Sequence, residues 1–100
     1  SHFHAGQLWA MNGDTGRALE HFDQATVTDM PAEFPQSFNA LVVGTRSFLR
    51  GHMAAVAAAR DEVAAMPGLT ERDSMFLEAL EFLADSEGLT YLEVYEAAVE

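Results

Sequence analysis

The side chains in this sequence with the most potential for chemistry are four histidines and sixteen carboxylates. A zinc site needs three or four converging ligands, and ligands on one helix face stand three or four residues apart. His2 and His4 are only two residues apart, and neither His21 nor His52 has a His-x-x-x-His or Glu-x-x-His partner. The pattern therefore predicts surface histidines and no metal site.

Acid–base or nucleophilic catalysis has no better support. Glu78, Glu81 and Asp85 are spaced along one helix face, but a di-metal carboxylate site needs a second, facing pair or a histidine three residues on. No serine lies in a Gly-x-Ser-x-Gly context, no glycine-rich phosphate loop occurs, and cysteine is absent. We therefore expect a protein without enzymatic activity and without a cofactor.

The charge of the chain is strongly acidic and unevenly distributed. The sixteen acidic residues face five arginines and no lysine, for a net charge of −11. Such a chain repels nucleic acid and anionic membranes, so neither is expected as a partner. Eleven of the acidic residues follow Arg60 and are accompanied only by Arg72. We favour a solvated helix surface as the explanation, and a docking face for a basic partner is the alternative.

Composition predicts one folded domain without a membrane segment. Hydrophobic residues make up 49% of the 100 residues, which is ordinary for a globular protein. The longest apolar run, residues 53–59, is far shorter than the roughly 20 residues that cross a bilayer. No signal peptide is indicated, so we expect a cytoplasmic location. Because the sequence starts at Ser1, we interpret it as a processed or excised piece of a longer protein.

The elements that must position these side chains are all predicted to be helices. No run of residues alternates like a strand, whereas apolar residues recur at helical spacing throughout. Turns at Gly13, Gly51 and Gly88, which lie 38 and 37 residues apart, divide the chain into helix hairpins at about 3–27, 37–66 and 70–99. Capping boxes that start at Thr70 and Thr90 mark the beginnings of the last two helices, and residues 28–36, with two prolines, are predicted to form a loop.

The first hairpin carries a pattern of small and aromatic residues at fixed spacing. Its members are Gly6, Trp9, Gly13, Asp14, Ala18, Phe22 and Ala25. Gly6 and Ala18 would let the two helices touch, while Trp9 and Phe22 would fill the space between turns. With these residues, segment 3–25 resembles a tetratricopeptide repeat. The resemblance implies a right-handed α-α superhelix, a solenoid of about three antiparallel helix hairpins.

The second hairpin matches this pattern in two alternative registers. A turn aligned on Gly51 places Gly44 at the small position of the first helix and Arg60 at the aromatic position of the second. In that register the second helix directs Val56 and Val63 inward. A shift by one residue instead buries a set composed of Leu41, Thr45, Phe48 and Ala57. Both registers remain open, and the third hairpin keeps only Gly88 of the pattern.

Tetratricopeptide repeats bind extended peptides or helices on a concave surface lined by the first helix of each hairpin. The resemblance therefore implies a non-catalytic interaction module with a protein or peptide partner. By position, its binding residues would be Gln7, Met11, Leu41, Thr45, Phe48, Met75 and Phe82. These side chains are mostly apolar, which favours a hydrophobic or amphipathic segment as the ligand.

Two alternatives accompany this prediction. Leu41 and Phe48 would belong to the core and not to a binding surface if the shifted register applies. The chain would also serve a structural role, as a homodimer or as part of a larger multi-repeat protein, if its terminal helices need to be covered.

Overall fold

Glycine turns and capping residues divide the chain into successive helices. The structure, a computed structural model, describes residues 2–28 and 36–99, with side chains at 2–25 and 36–98. It contains six helices in these ranges: α1 His2–Met11, α2 Thr15–Thr28, α3 Gln36–Leu49, α4 Met53–Ala64, α5 Glu71–Ala84 and α6 Tyr91–Val99. The described residues include no strand, which confirms the all-α prediction for this part of the chain. None of these helices combines the length and apolar character that crossing a membrane requires.

The turns and helix starts follow the local sequence signals. Gly13, Gly51 and Gly88 have φ angles of +82°, +76° and +87°, a left-handed conformation that glycine adopts without steric strain. Both predicted capping boxes are present, because the Thr70 and Thr90 side chains accept hydrogen bonds from the backbone N–H three residues on and the reciprocal bonds also form. The predicted loop is described only at its ends, since residues 29–35 lie outside the described residues.

Helices α1 and α2 pack closely because a glycine faces an aromatic ring. Gly6 is buried, and a Cβ atom placed on it would lie 2.7 Å from Cε1 of Phe22. Phe22 itself is fully buried, as are Ala18 and Ala25 on the same face of α2. The prediction that Gly6 and Ala18 allow these two helices to touch is confirmed.

Helix α3 is the centre of the molecule and contacts α2, α4 and α5. Its residues belong to three hydrophobic clusters: Val42 packs with residues of α1 and α2, Leu41 with residues of α4 and α5, and Phe48 with residues of α4, α5 and α6. Exposed positions such as Asn39 and Val43 are confined to one stripe. Consequently the α3 residues of both predicted registers are buried.

The register of α4 is decided by which of its residues point inward. Val56 and Val63 are fully buried, whereas Ala57 is only partly buried. This arrangement agrees with the register aligned on Gly51. Arg60 stands at the aromatic position of that register, but its side chain is partly exposed and pairs with Asp61. The side chain that packs against Gly44 is Leu80 from α5.

The last hairpin is arranged differently from the first two. Helix α5 packs against both α3 and α4. Helix α6 makes a smaller contact with α5 than α2 makes with α1, and it also contacts α1 at the other end of the chain. The two ends of the described chain therefore meet.

Candidate functional site

The face shared by α1, α3 and α5 brings together four of the seven predicted binding residues. Gln7 of α1, Leu41 and Thr45 of α3 and Phe82 of α5 line a common cavity of about 140 Å³. We call the side on which these four residues lie the inner face. Sequence reasoning therefore grouped residues from three helices that do lie together in the fold.

Helix α6 covers much of the inner face. Tyr91, Val94, Tyr95 and Ala98, at positions i, i+3, i+4 and i+7 of α6, line the same cavity from the opposite side. Val94 is buried and packs in a cluster with Phe48 and Leu83. The inner face thus holds an amphipathic helix supplied by the chain itself.

A partly buried hydrogen bond joins α1 and α6 across this face. The Gln7 amide nitrogen lies 3.0 Å from the Tyr91 hydroxyl and donates to it. Burial raises the pKa of the Tyr91 phenol above its ordinary value, and the hydrogen bond from Gln7 opposes this rise. The neutral phenol is therefore the form that fits between α1 and α6.

The central part of the inner face is closed. Leu41 and Phe48 are buried, and Thr45 is only 1% exposed with its hydroxyl donating to the Leu41 carbonyl at 2.7 Å. A cavity of about 140 Å³ is also smaller than the roughly 300 Å³ at which small-molecule sites begin. These three residues can contact a partner only if α6 moves away.

The remaining predicted residues have different surroundings. Met11 is partly buried at the end of α1. Met75 is 63% exposed and Phe82 is 37% exposed, and both border a shallow depression between α5 and α6 whose other lining residues are Glu78, Ala79 and Ala98.

A second depression adjoins the first and is lined by Glu78, Glu81, Phe82, Asp85 and Ser86. Phe82 and Glu78 belong to both, so the two depressions form one open channel along α5, which we call the α5–α6 groove. At one end of the groove, the Ser86 hydroxyl donates a hydrogen bond of 2.6 Å to the Phe82 carbonyl in the last turn of α5. Among the described residues, the lining of the groove comes from α5, from the residues that follow it and, through Ala98, from α6.

Comparison of this chain with known protein families, with curated proteins and with solved structures found no match. The site is therefore interpreted from its own geometry. That geometry offers exposed apolar side chains beside carboxylates.

Metal-binding residues do not converge anywhere in the described part of the chain, where no group of three or more histidines or carboxylates could hold an ion. The predicted surface position holds for His4 and His52, which are exposed, whereas His2 and His21 are only partly exposed. Their rings stack with centroids 5.5 Å apart and their Nδ1 atoms 3.2 Å apart, because the pairing of α1 with α2 brings them together.

Sequence reasoning also missed a buried link between α3 and α5. The Ser37 hydroxyl donates to the Asp73 carboxylate at 2.5 Å, and the same carboxylate accepts from the Thr70 backbone N–H. The hydrogen bond from Ser37 is the main cause that lowers the pKa of Asp73, followed by the backbone bond from Thr70. Because the bond from Ser37 holds the start of α5 against α3 and the bond from Thr70 caps the same helix, this serine and carboxylate have a structural role.

Proposed function

We propose that this chain is a non-catalytic protein interaction module that binds a partner helix on the surface shared by α5 and α6. One observation carries the proposal: the inner face already accommodates an amphipathic helix, α6, through residues at positions i, i+3, i+4 and i+7. The mode of binding is then helix-in-groove recognition, in which apolar residues at this spacing fill a hydrophobic channel. The α5–α6 groove is the part of this surface that remains open.

The dimensions of the groove suit a short helical segment. Met75 and Phe82 are seven residues apart, so they lie on one side of α5 and are separated by about 10 Å along its axis. Two turns of a partner helix would span that distance. Ala79 and Ala98, between and beside them, have small side chains that allow such a helix to approach closely.

The architecture we propose is a tetratricopeptide-like solenoid whose last helix has changed sides. Supporting this view, Gly6 of α1 and Gly44 of α3 each stand seven residues before the glycine of their hairpin turn. Gly6 faces Phe22 of its own hairpin, and Gly44 faces Leu80 of the next one. In a regular repeat α6 would pack behind α5, as α2 packs behind α1. Here it lies over the inner face instead, and this leaves α5 as the exposed edge of the binding surface.

A binding titration with designed peptides tests the proposed function. Two fluorescent amphipathic peptides of about four helical turns, with leucine at i, i+3, i+4 and i+7 and either lysine or glutamine elsewhere, are titrated with the protein and followed by anisotropy. We expect at least one peptide to bind, and the double variant Met75→Ser, Phe82→Ser to lose that binding. Leu8→Ser is the matched control, since Leu8 is exposed on α1 and borders neither part of the groove.

The proposal fails if neither peptide binds, or if the Leu8 variant loses as much affinity as the groove variant. The alternative role in self-association is tested separately by sedimentation of the unlabelled protein at micromolar concentration. A dimer that persists in the groove variant would place self-association on another surface.

A further inference from the structure

The floor of the α5–α6 groove is apolar and exposed. Met75 is 63% exposed and Phe82 is 37% exposed, although both side chains stand on a helix that packs against α3 and α4. Together with Ala79 and Ala98 they form a strip about two helical turns long. Met75 is largely open to solvent and Phe82 in part, and burial of the open surface of these two side chains by a partner would be favourable.

One rim of the groove is a row of carboxylates. Glu78 and Glu81 stand at positions i and i+3 of α5, and Asp85 follows at i+7 as the C-cap residue of the helix, so the row runs beside the strip and parallel to it. Like charges at this spacing destabilise the helix that carries them. In the part of the chain whose side chains the structure describes, the ion pairs use the carboxylates of Asp14, Asp23 and Asp61. None of them uses Glu78, Glu81 or Asp85.

We propose that the α5–α6 groove selects a cationic amphipathic helix. The partner would place apolar residues at i, i+3, i+4 and i+7 on Met75 and Phe82, and lysine or arginine residues at one-turn intervals along the row of carboxylates. This inference rests on the proposed function and adds the chemistry of the partner to it. Charge complementarity across the rim would govern partner choice and association rate more than affinity itself.

The same charges argue against a second copy of the chain as the occupant. Each copy carries a net charge of −11, and a face-to-face contact would bring two rows of carboxylates together. Nor does the chain offer a cationic helix of its own, because its five basic residues are spread from Arg17 to Arg72. The occupant we propose is therefore a basic helix from outside these 100 residues.

Three designed peptides separate charge selection from simple apolar binding. All carry leucine at i, i+3, i+4 and i+7, and their remaining positions are lysine, glutamine or glutamate. With the full chain, we expect the lysine peptide to bind most tightly, the glutamine peptide more weakly and the glutamate peptide not measurably. Raising the salt concentration from about 0.05 M to about 0.5 M should weaken only the lysine peptide, since screening acts on the exposed charges.

Paired variants locate the charges responsible. Glu78→Gln with Glu81→Gln should lower the affinity of the lysine peptide about fourfold, because each exposed ion pair changes affinity by a factor of about two. The control, Glu20→Gln with Glu96→Gln, removes the same charge from two exposed positions, one on α2 and one on the side of α6 that faces away from the groove. It should have little effect. Circular dichroism verifies that each variant is folded.

Each failure has a distinct meaning. Equal affinity for the lysine and glutamine peptides would overturn the charge selection and leave the proposed function standing. An effect of the control pair as large as that of the rim pair would show attraction by net charge alone and overturn the assignment to this groove. If no peptide binds, the proposed function fails as well.

Discussion

Replacing Gly6 by alanine tests whether the first two helices pack as closely as the structure shows. A new Cβ at Gly6 would lie 2.7 Å from Cε1 and 2.8 Å from Cδ1 of Phe22, well inside van der Waals contact. Phe22 is completely buried, and its ring also packs at 5.3 Å against the ring of Phe3. The ring therefore has no open space into which it can move. Gly16 provides the control, because a Cβ there meets only a carboxylate oxygen of Asp14 at 3.9 Å.

The two substitutions should change the unfolding free energy differently. Alanine raises helix propensity by up to about 1 kcal/mol relative to glycine at either site. At Gly6 this gain is opposed by overpacking, which costs about 1–3 kcal/mol in a well-packed core. We expect Gly16→Ala to stabilise the protein and Gly6→Ala to leave it unchanged or to destabilise it by up to about 2 kcal/mol. A domain of this size changes its Tm by about 4–8 °C per kcal/mol, so the two variants are readily distinguished.

Urea unfolding followed by circular dichroism at 222 nm measures the difference in unfolding free energy. A double variant, Gly6→Ala with Phe22→Leu, provides a further check, because the shorter leucine leaves room for the new methyl group. The loss of unfolding free energy in this double variant should be smaller than the sum of the losses in the two single variants by about 0.5 kcal/mol or more. If Gly6→Ala stabilises the protein as much as Gly16→Ala does, the close approach of α1 and α2 is refuted.

Three further predictions concern buried polar groups. Tyr91→Phe removes the hydrogen bond from Gln7 and should lower the unfolding free energy by about 0.5–1.5 kcal/mol in urea unfolding. Burial raises the pKa of Tyr91 above its ordinary value of about 10. The stabilising contribution of the neutral Tyr91 should therefore be complete below about pH 10 and should be lost as pH rises through the folded-state pKa. An alkaline unfolding titration should show this loss in the wild type and not in Tyr91→Phe. The Asp73 pKa is lowered, chiefly by Ser37, so its contribution should be present above about pH 4 and lost as pH falls through the folded-state pKa. Ser37→Ala should therefore shift acid unfolding to higher pH, and an unchanged midpoint would contradict the assignment.

The helices could be predicted from the sequence because their limits are set by local chemistry. A left-handed glycine such as Gly51 ends a helix whatever its neighbours are, and a capping box such as that of Thr90 and Glu93 begins one within four residues. Helical spacing likewise predicted which residues of α3 are apolar and inward. These signals act over one or two turns, so one sequence is sufficient to detect them.

The position of α6 could not be predicted in this way. Its apolar residues, from Tyr91 to Ala98, recur at the same spacing whether the helix lies behind α5 or over the inner face. The contact that fixes it, between Gln7 and Tyr91, joins residues separated by 84 positions. Ser37 and Asp73 are separated by 36 positions, and no local pattern relates them. Pairing of distant side chains depends on the packing of whole helices, which periodicity does not specify.

The position of α6 determines where a partner can bind. A ligand on the centre of the inner face would have to expose Val94, at a cost of about 1.5–3 kcal/mol, and break the bond between Gln7 and Tyr91, at about 0.5–1.5 kcal/mol. The sum of about 2–4.5 kcal/mol corresponds to an affinity lowered by roughly 30-fold to more than 1000-fold. A ligand in the α5–α6 groove breaks neither contact, because Met75 and Phe82 are already exposed. A partner would therefore bind more readily at the open groove, beside Glu78 and Glu81 of α5, than by displacing α6.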